Sequence, residues 1–156
     1  MRGVATCLLL AVSASAAVTP NTLFSDRAVL QQGIDVPVWG TANDGEKVTV
    51  KFQRQEVSTV AKDGRWLVKL RPLQPGGPFT MTINDLEVKD LLVGEVWVCA
   101  GQSNMRWGVT YTNDAGKIAD KTNPLLRLQM LPEASYALNR PPLQFGGWRA
   151  ADKKSI

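Results

Sequence analysis

Val93-Gly94-Glu95-Val96-Trp97-Val98-Cys99-Ala100-Gly101-Gln102-Ser103-Asn104-Met105 is the stretch at which the chain changes its grammar. From Val93 to Ala100 nearly every position is apolar, Gly94 and Glu95 apart. That pattern suits a strand buried on both faces, as in a parallel sheet flanked by helices. The run ends in a tight turn that carries a serine. A serine at the C-terminal end of such a strand is where an α/β hydrolytic enzyme keeps its nucleophile. Serine needs a base within hydrogen-bond reach and donors that hold the oxyanion. The chain contains no histidine, so a Ser-His-Asp arrangement cannot be completed within these residues. The G-x-S-x-G elbow is not matched either, because Met105 stands where its last glycine belongs.

Upstream of Val93 the signal is a series of short strands. Val36 and Val38 alternate around Pro37, which suggests an edge strand. Val48, Val50 and Phe52 alternate with lysines and a threonine; Trp66, Val68 and Leu70 do so next, then Phe79, Met81 and Ile83. Val57 to Ala61 is a weaker candidate, and Leu86 and Val88 begin a further strand. Asp44-Gly45, Asp63-Gly64 and Asn84-Asp85 supply turns. Pro75-Gly76-Gly77-Pro78 reads as a loop that neither a helix nor a central strand accepts. Strands at this spacing, with no helical period between them, predict an antiparallel β-sandwich over residues 18–92.

Downstream, Asn113 to Asp120 predicts a short helix, and Asn123-Pro124 breaks it. Leu125, Leu126, Leu128, Met130 and Leu131 form a second buried-strand candidate, and Pro132 to Pro142 reads as loop. Two parallel strands are not a stable unit. The expectation is therefore a second, incomplete domain over 93–156, with the chain the N-terminal part of a longer protein.

The first residues read as an export signal. Arg2 gives a positive start, Val4 to Val12 an apolar run, and Ala14-Ser15-Ala16 a small-residue cleavage site. The apolar run is shorter than the roughly 20 residues that span a bilayer. Residues 1–17 are expected to be removed, leaving a chain that starts near Ala17 or Val18 in a secreted, periplasmic or, in a eukaryote, lysosomal setting. Cys7 would leave with them. Cys99 then stands alone, which excludes an intrachain disulfide and argues against zinc. The hydrophobic fraction of 44% and charged fraction of 21% are those of a folded domain. The formal net charge of +4 is spread over separated lysines and arginines, Arg127 among them, as on a solvated face. A nucleic-acid site would want a basic stripe instead.

The chain resembles the sialate O-acetylesterases, a family of SGNH-type carbohydrate esterases. The resemblance is carried by the block Gly94 to Met105, and before it by Leu23-Phe24-Ser25-Asp26, Val29-Leu30-Gln31-Gln32 and Val36-Pro37-Val38-Trp39-Gly40-Thr41-Ala42. Gly45 to Val50, Asp63-Gly64-Arg65-Trp66, Gly76-Gly77-Pro78-Phe79, Leu126-Arg127-Leu128 and Trp148 extend it. It implies a jelly-roll or immunoglobulin-like sandwich over 18–92, followed by the beginning of an α/β/α SGNH hydrolase domain from 93 onward. It also implies that Ser103 is the nucleophile and its backbone amide one oxyanion donor. The family's second glycine, oxyanion-hole asparagine and Asp-x-x-His block have no counterpart here. The implied reaction is removal of acetyl groups from sugar hydroxyls through an acyl-enzyme. It needs no cofactor, and its partner is an acetylated sugar or oligosaccharide, with no nucleic acid and no membrane after signal removal.

Around the serine, Gln102 and Asn104 are expected to organise the turn. Trp97 and Trp107 are expected in the core, Trp107 with a second reading as the wall of an acyl or sugar pocket. Cys99 is expected to be a small buried hydrophobe, and Glu95 a loop-facing or hydrogen-bonded structural group. The alternative to an esterase is a non-catalytic sandwich module that binds glycan or another protein.

Overall fold

The computed structural model describes residues 18–118, 121, 123–130 and 146–152. The export segment at 1–17, Leu131, the loop at 132–142 and the last four residues lie outside them. Eight strands come first: β1 Thr19–Pro20, β2 Val29–Gln31, β3 Val36–Thr41, β4 Lys47–Phe52, β5 Gln55–Val60, β6 Arg65–Leu70, β7 Gly76–Ile83 and β8 Leu86–Gly94. Period two sets which side chains turn inward. Val48, Val50 and Phe52 do so from β4, and Trp66, Val68 and Leu70 from β6.

The strands make two sheets, one in the order β1-β3-β6 and one in the order β2-β8-β7-β4-β5. Their inner faces share one apolar cluster that includes Val38, Val50, Phe52, Leu70, Met81, Ile83 and Leu91. The protein is thus mostly β over its first eight strands. Burial supplies the driving force, since each large aliphatic or aromatic side chain taken from water contributes about 1.5–3 kcal/mol. The indole of buried Trp66 is matched: its Nε1 donates to the Thr41 carbonyl at 3.2 Å. Pro37 sits on β3 opposite Lys69 of β6, while β1 pairs only with Gly40 and Thr41. β3 is thus the middle strand of its sheet and not the edge strand expected from Pro37, but β1 leaves the Pro37 end of β3 without a ladder partner on that side, where a missing N–H is tolerated.

Several features depart from the expectation. β2 runs parallel to β8 (Val29 opposite Leu92, Gln31 opposite Gly94), so the sheet is mixed and not wholly antiparallel. Three-residue β2 is too short to show a period. Gly76, Gly77 and Pro78 belong to β7 and not to a loop. The register shifts between Gly76 and Phe79 let the strand take them in. A Cβ on Gly77, at φ 136°, would lie 2.7 Å from the Leu91 carbonyl oxygen, so glycine alone fits against β8 there. β8 itself continues to Gly94 and carries Val93 into the sandwich core. Asp90 breaks the alternation of β8 with a left-handed φ of 57°, after which Leu91, Leu92 and Val93 are all buried.

The described residues after Gly94 hold two 3-10 turns (Ser103–Arg106 and Val109–Tyr111), a short helix α1 (Ala115–Ile118), β9 (Asn123–Leu128) and β10 (Arg149–Ala151). The short helix falls where Asn113 to Asp120 predicts it. β9 and β10 pair antiparallel with each other, and among the described residues no parallel pair forms beyond Gly94. Leu125, Leu126 and Met130 are exposed, so the second buried strand is not seen as expected. In its place the side chain of Arg127, read from the sequence as part of a solvated face, is only 7% exposed and rests on Asp90. Trp148 packs against the sandwich core and donates its Nε1 to the Leu23 carbonyl at 3.0 Å. The ribbon thus folds back onto the first eight strands. No helix among the described residues is long and apolar enough to cross a membrane.

Candidate active site

Ser103 opens the first 3-10 turn, Ser103–Arg106. Gln102 precedes it in an extended conformation (φ −93°, ψ −151°) and caps the turn through its backbone: the Met105 amide donates to the Gln102 carbonyl at 3.0 Å. The Trp107 amide then donates to the Asn104 carbonyl at 3.3 Å. The turn is thus held by the main-chain carbonyls of Gln102 and Asn104, and the Gln102 side-chain amide, expected to organise it, makes no capping bond. The first N–H groups of a helical turn have no acceptor within the turn, which leaves the Ser103 amide without one there, and Ser103 is exposed. The Met105 side chain folds back over Gly101, where a Cβ would meet its Cγ at 2.6 Å.

The segment leading to the serine forms no ladder and is exposed from Glu95 to Met105. This corrects three expectations. Val96 to Ala100 is not a buried strand. Trp97 is 83% exposed and not core. Cys99 is exposed and not a buried hydrophobe. One cause covers all three: a strand apolar on both faces is buried only by neighbours on both sides, and the described residues place none there. Trp107 is likewise exposed and not core; its ring lies 6.1 Å from that of Tyr111, tilted by 59°. Two exposed aromatic rings thus follow directly on the serine turn.

Glu95 is held as a structural group, in agreement with the expectation. Gln32 Nε2 donates to Glu95 Oε1 at 2.6 Å, and Gln31 Nε2 to Glu95 Oε2 at 3.1 Å. Gln31 Oε1 in turn accepts the Val96 amide at 2.8 Å. The Gln31 amide first, then that of Gln32, holds the Glu95 carboxyl below the usual carboxylate range, against a small opposing effect of desolvation. Sequence reasoning missed Gln31 and Gln32 as partners of Glu95. They lie more than sixty positions away, and only the parallel pairing of β2 with β8 brings them together. Among the described residues no group of three or more His, Cys, Asp or Glu side chains is placed to hold a metal ion.

The comparisons bear on this arrangement. No family model matches the chain. Its backbone is similar to the crystal structure of a carbohydrate acetylesterase from Xanthomonas citri, with a TM-score of 0.81 and 31% sequence identity over 89% of this chain and 34% of that one. Among curated proteins the chain resembles sialate O-acetylesterases. It is 39% identical to that of Mus musculus over 95 residues (51% of this chain, 18% of the mouse protein) and 35% identical to that of Homo sapiens over 100 residues (54% and 19%). The matched region thus spans about a fifth of the length of those relatives. The resemblance to sialate O-acetylesterases read from the sequence therefore stands.

Proposed function

We propose that this chain is part of an esterase that removes acetyl groups from carbohydrate hydroxyls, with Ser103 as the nucleophile. What carries the reading is Ser103 at the head of an exposed turn in a chain whose backbone follows a carbohydrate acetylesterase at a TM-score of 0.81. The Ser103 Oγ attacks the acetyl carbonyl carbon while a base takes its proton. The tetrahedral oxyanion is held by the Ser103 amide and at least one further donor. Its collapse breaks the bond to the sugar oxygen, which leaves as the protonated hydroxyl. Water then cleaves the acetyl-serine to acetate and free enzyme.

The base and the remaining oxyanion donors come from residues outside these 156, in an α/β/α SGNH domain that begins at about residue 93 and buries the apolar run before Ser103. The absence of histidine supports this, as does the small share of each relative that the chain spans. Export follows from the leader pattern at 1–17. The test is turnover of an aryl acetate. The 156-residue chain is expected to be nearly inactive, while the protein as its source makes it is expected to turn over and to lose activity in Ser103→Ala. Turnover indifferent to that substitution would overturn the reading.

One observation favours a second reading, a glycan-binding module. The sandwich closes its core within the first eight strands and bears a depression of about 310 Å³ lined by Trp39, Val60, Arg65 and Leu67. Saturable binding of an acetylated sugar to Ser103→Ala protein, lost in Trp39→Ala, would support it.

A further inference from the structure

We propose that Gln31, Gln32 and Glu95 are positioning residues that fix the direction in which the serine-bearing segment leaves the sandwich; the catalytic part of this rests on the esterase reading above. β2 and β8 end together, Gln31 opposite Gly94, and the Gln32 amide closes the pair by donating to the Gly94 carbonyl at 2.9 Å. Beyond that point β8 has no ladder to follow. Its next residues are held by side chains instead. Both oxygens of Glu95 are taken by side-chain amides, of Gln32 at 2.6 Å and Gln31 at 3.1 Å, and the Val96 amide is taken by Gln31 Oε1 at 2.8 Å. Gln31 thus grips the chain with both ends of one amide.

These bonds lie at an exposed sheet end, where each contributes little to global stability because water competes for the same groups. β2 is also the edge strand of its sheet, so the core does not depend on them. Their effect is directional. From Val96 to Gln102 the chain joins no ladder, and at Ser103 it turns. Seven residues reach about 24 Å at most, so a swing of about 10° at Val96 would displace the serine by up to roughly 4 Å. A misplacement of about 1 Å can cost about 100-fold in rate.

The test has two arms. In the 156-residue chain, amide hydrogen exchange at Val96 is followed in Gln31→Ala, in Glu95→Gln and in the exchange pair Gln31→Glu/Glu95→Gln, with thermal unfolding as the control. The pair restores a carboxylate that accepts from Val96 and from the new amide at 95. Exchange at Val96 is expected to rise at least about tenfold in Gln31→Ala with the melting temperature nearly unchanged, and to return in the pair. In the protein as its source makes it, kcat for an aryl acetate is expected to fall about 10- to 100-fold in Gln31→Ala at unchanged KM, with recovery in the pair. Unchanged Val96 exchange in Gln31→Ala overturns the proposal, as does Ser103-dependent turnover that ignores all these substitutions. The esterase reading fails separately, by turnover indifferent to Ser103→Ala, and the exchange arm still decides whether the clamp exists.

Discussion

Arg127 lays its guanidinium on the carboxylate of Asp90 in a two-point pair, Nη1 to Oδ2 at 3.1 Å and Nη2 to Oδ1 at 3.0 Å, across 37 positions of sequence. The contact ties β9, which follows the serine segment, to β8, which precedes it. The arginine side chain is buried and the carboxylate half-exposed, so the pair is screened less than a surface bridge. Asp90→Asn keeps a residue that tolerates the left-handed backbone at this position while removing the charge. It is expected to cost about 1–3 kcal/mol, and Arg127→Lys to cost nearly as much, because a point charge cannot reproduce the fork. Thermal unfolding in low and high salt checks both. A shift equal to that of exposed Lys117→Ala would mean the ribbon is not held here.

The second prediction concerns β1. A Cβ on Gly40 would lie 2.7 Å from Pro20 Cα and 2.8 Å from the Trp66 ring, and closer still to the Thr19 carbonyl. β1 can lie on β3 only because that Cβ is missing. Gly40→Ala must push β1 away or shift buried Trp66, at about 3 kcal/mol. Gly45→Ala meets no atom within 4 Å and only adopts a left-handed turn at φ 82°, at about 1 kcal/mol. Urea unfolding of the two variants should separate them in that order.

These positions show what could be read from residues alone. The period-two strands β4 and β6 were legible because one face is buried and the other wet, which writes itself into Val48-Val50-Phe52 and Trp66-Val68-Leu70. The Asp63-Gly64 and Asn84-Asp85 turns were legible from their backbone tolerance. The turn at Gln53, φ 51°, was not, since glutamine carries no turn signal. The turn at Ser103 was legible from its block. The surroundings of that block were not, because apolar composition says what a segment needs to be covered by, and the described residues do not supply the cover. Gln31 and Arg127 were missed for a further reason: their roles depend on which strands are neighbours, and that follows from packing and not from local pattern.

Acidity should act on the serine segment through Glu95. Its carboxyl is held below the usual carboxylate range by the amides of Gln31 and Gln32. A depressed carboxylate adds stability that is fully present above its unfolded value and is lost as pH falls through its folded one. The clamp should therefore persist from neutral pH down through the ordinary carboxylate range and open only below it. A carbon-13 titration of the Glu95 carboxyl is expected to show a midpoint below that of a free glutamate, moving back up in Gln31→Ala. A midpoint at the free value in the unaltered chain would remove the clamp's hold on the carboxylate.

The Cys99 thiol gives the most direct reading of how the apolar run sits. Buried on both faces of a parallel sheet, as its composition suggests, it would resist a thiol reagent until the protein unfolds. The structure instead exposes Cys99 among exposed Trp97 and Val98. In the 156-residue chain with Cys7 replaced by serine, Cys99 is expected to react with an aromatic disulfide at the rate of a free thiol, and urea should accelerate it less than about threefold, since access already exists. In the protein as its source makes it, the proposed α/β/α domain would cover the same strand, and the rate should fall by at least about 100-fold, following the opening equilibrium of a buried site. Equal rates in the two proteins would mean that nothing packs on the run before Ser103. The serine would then stand on an uncovered segment, and the module reading would displace the esterase one.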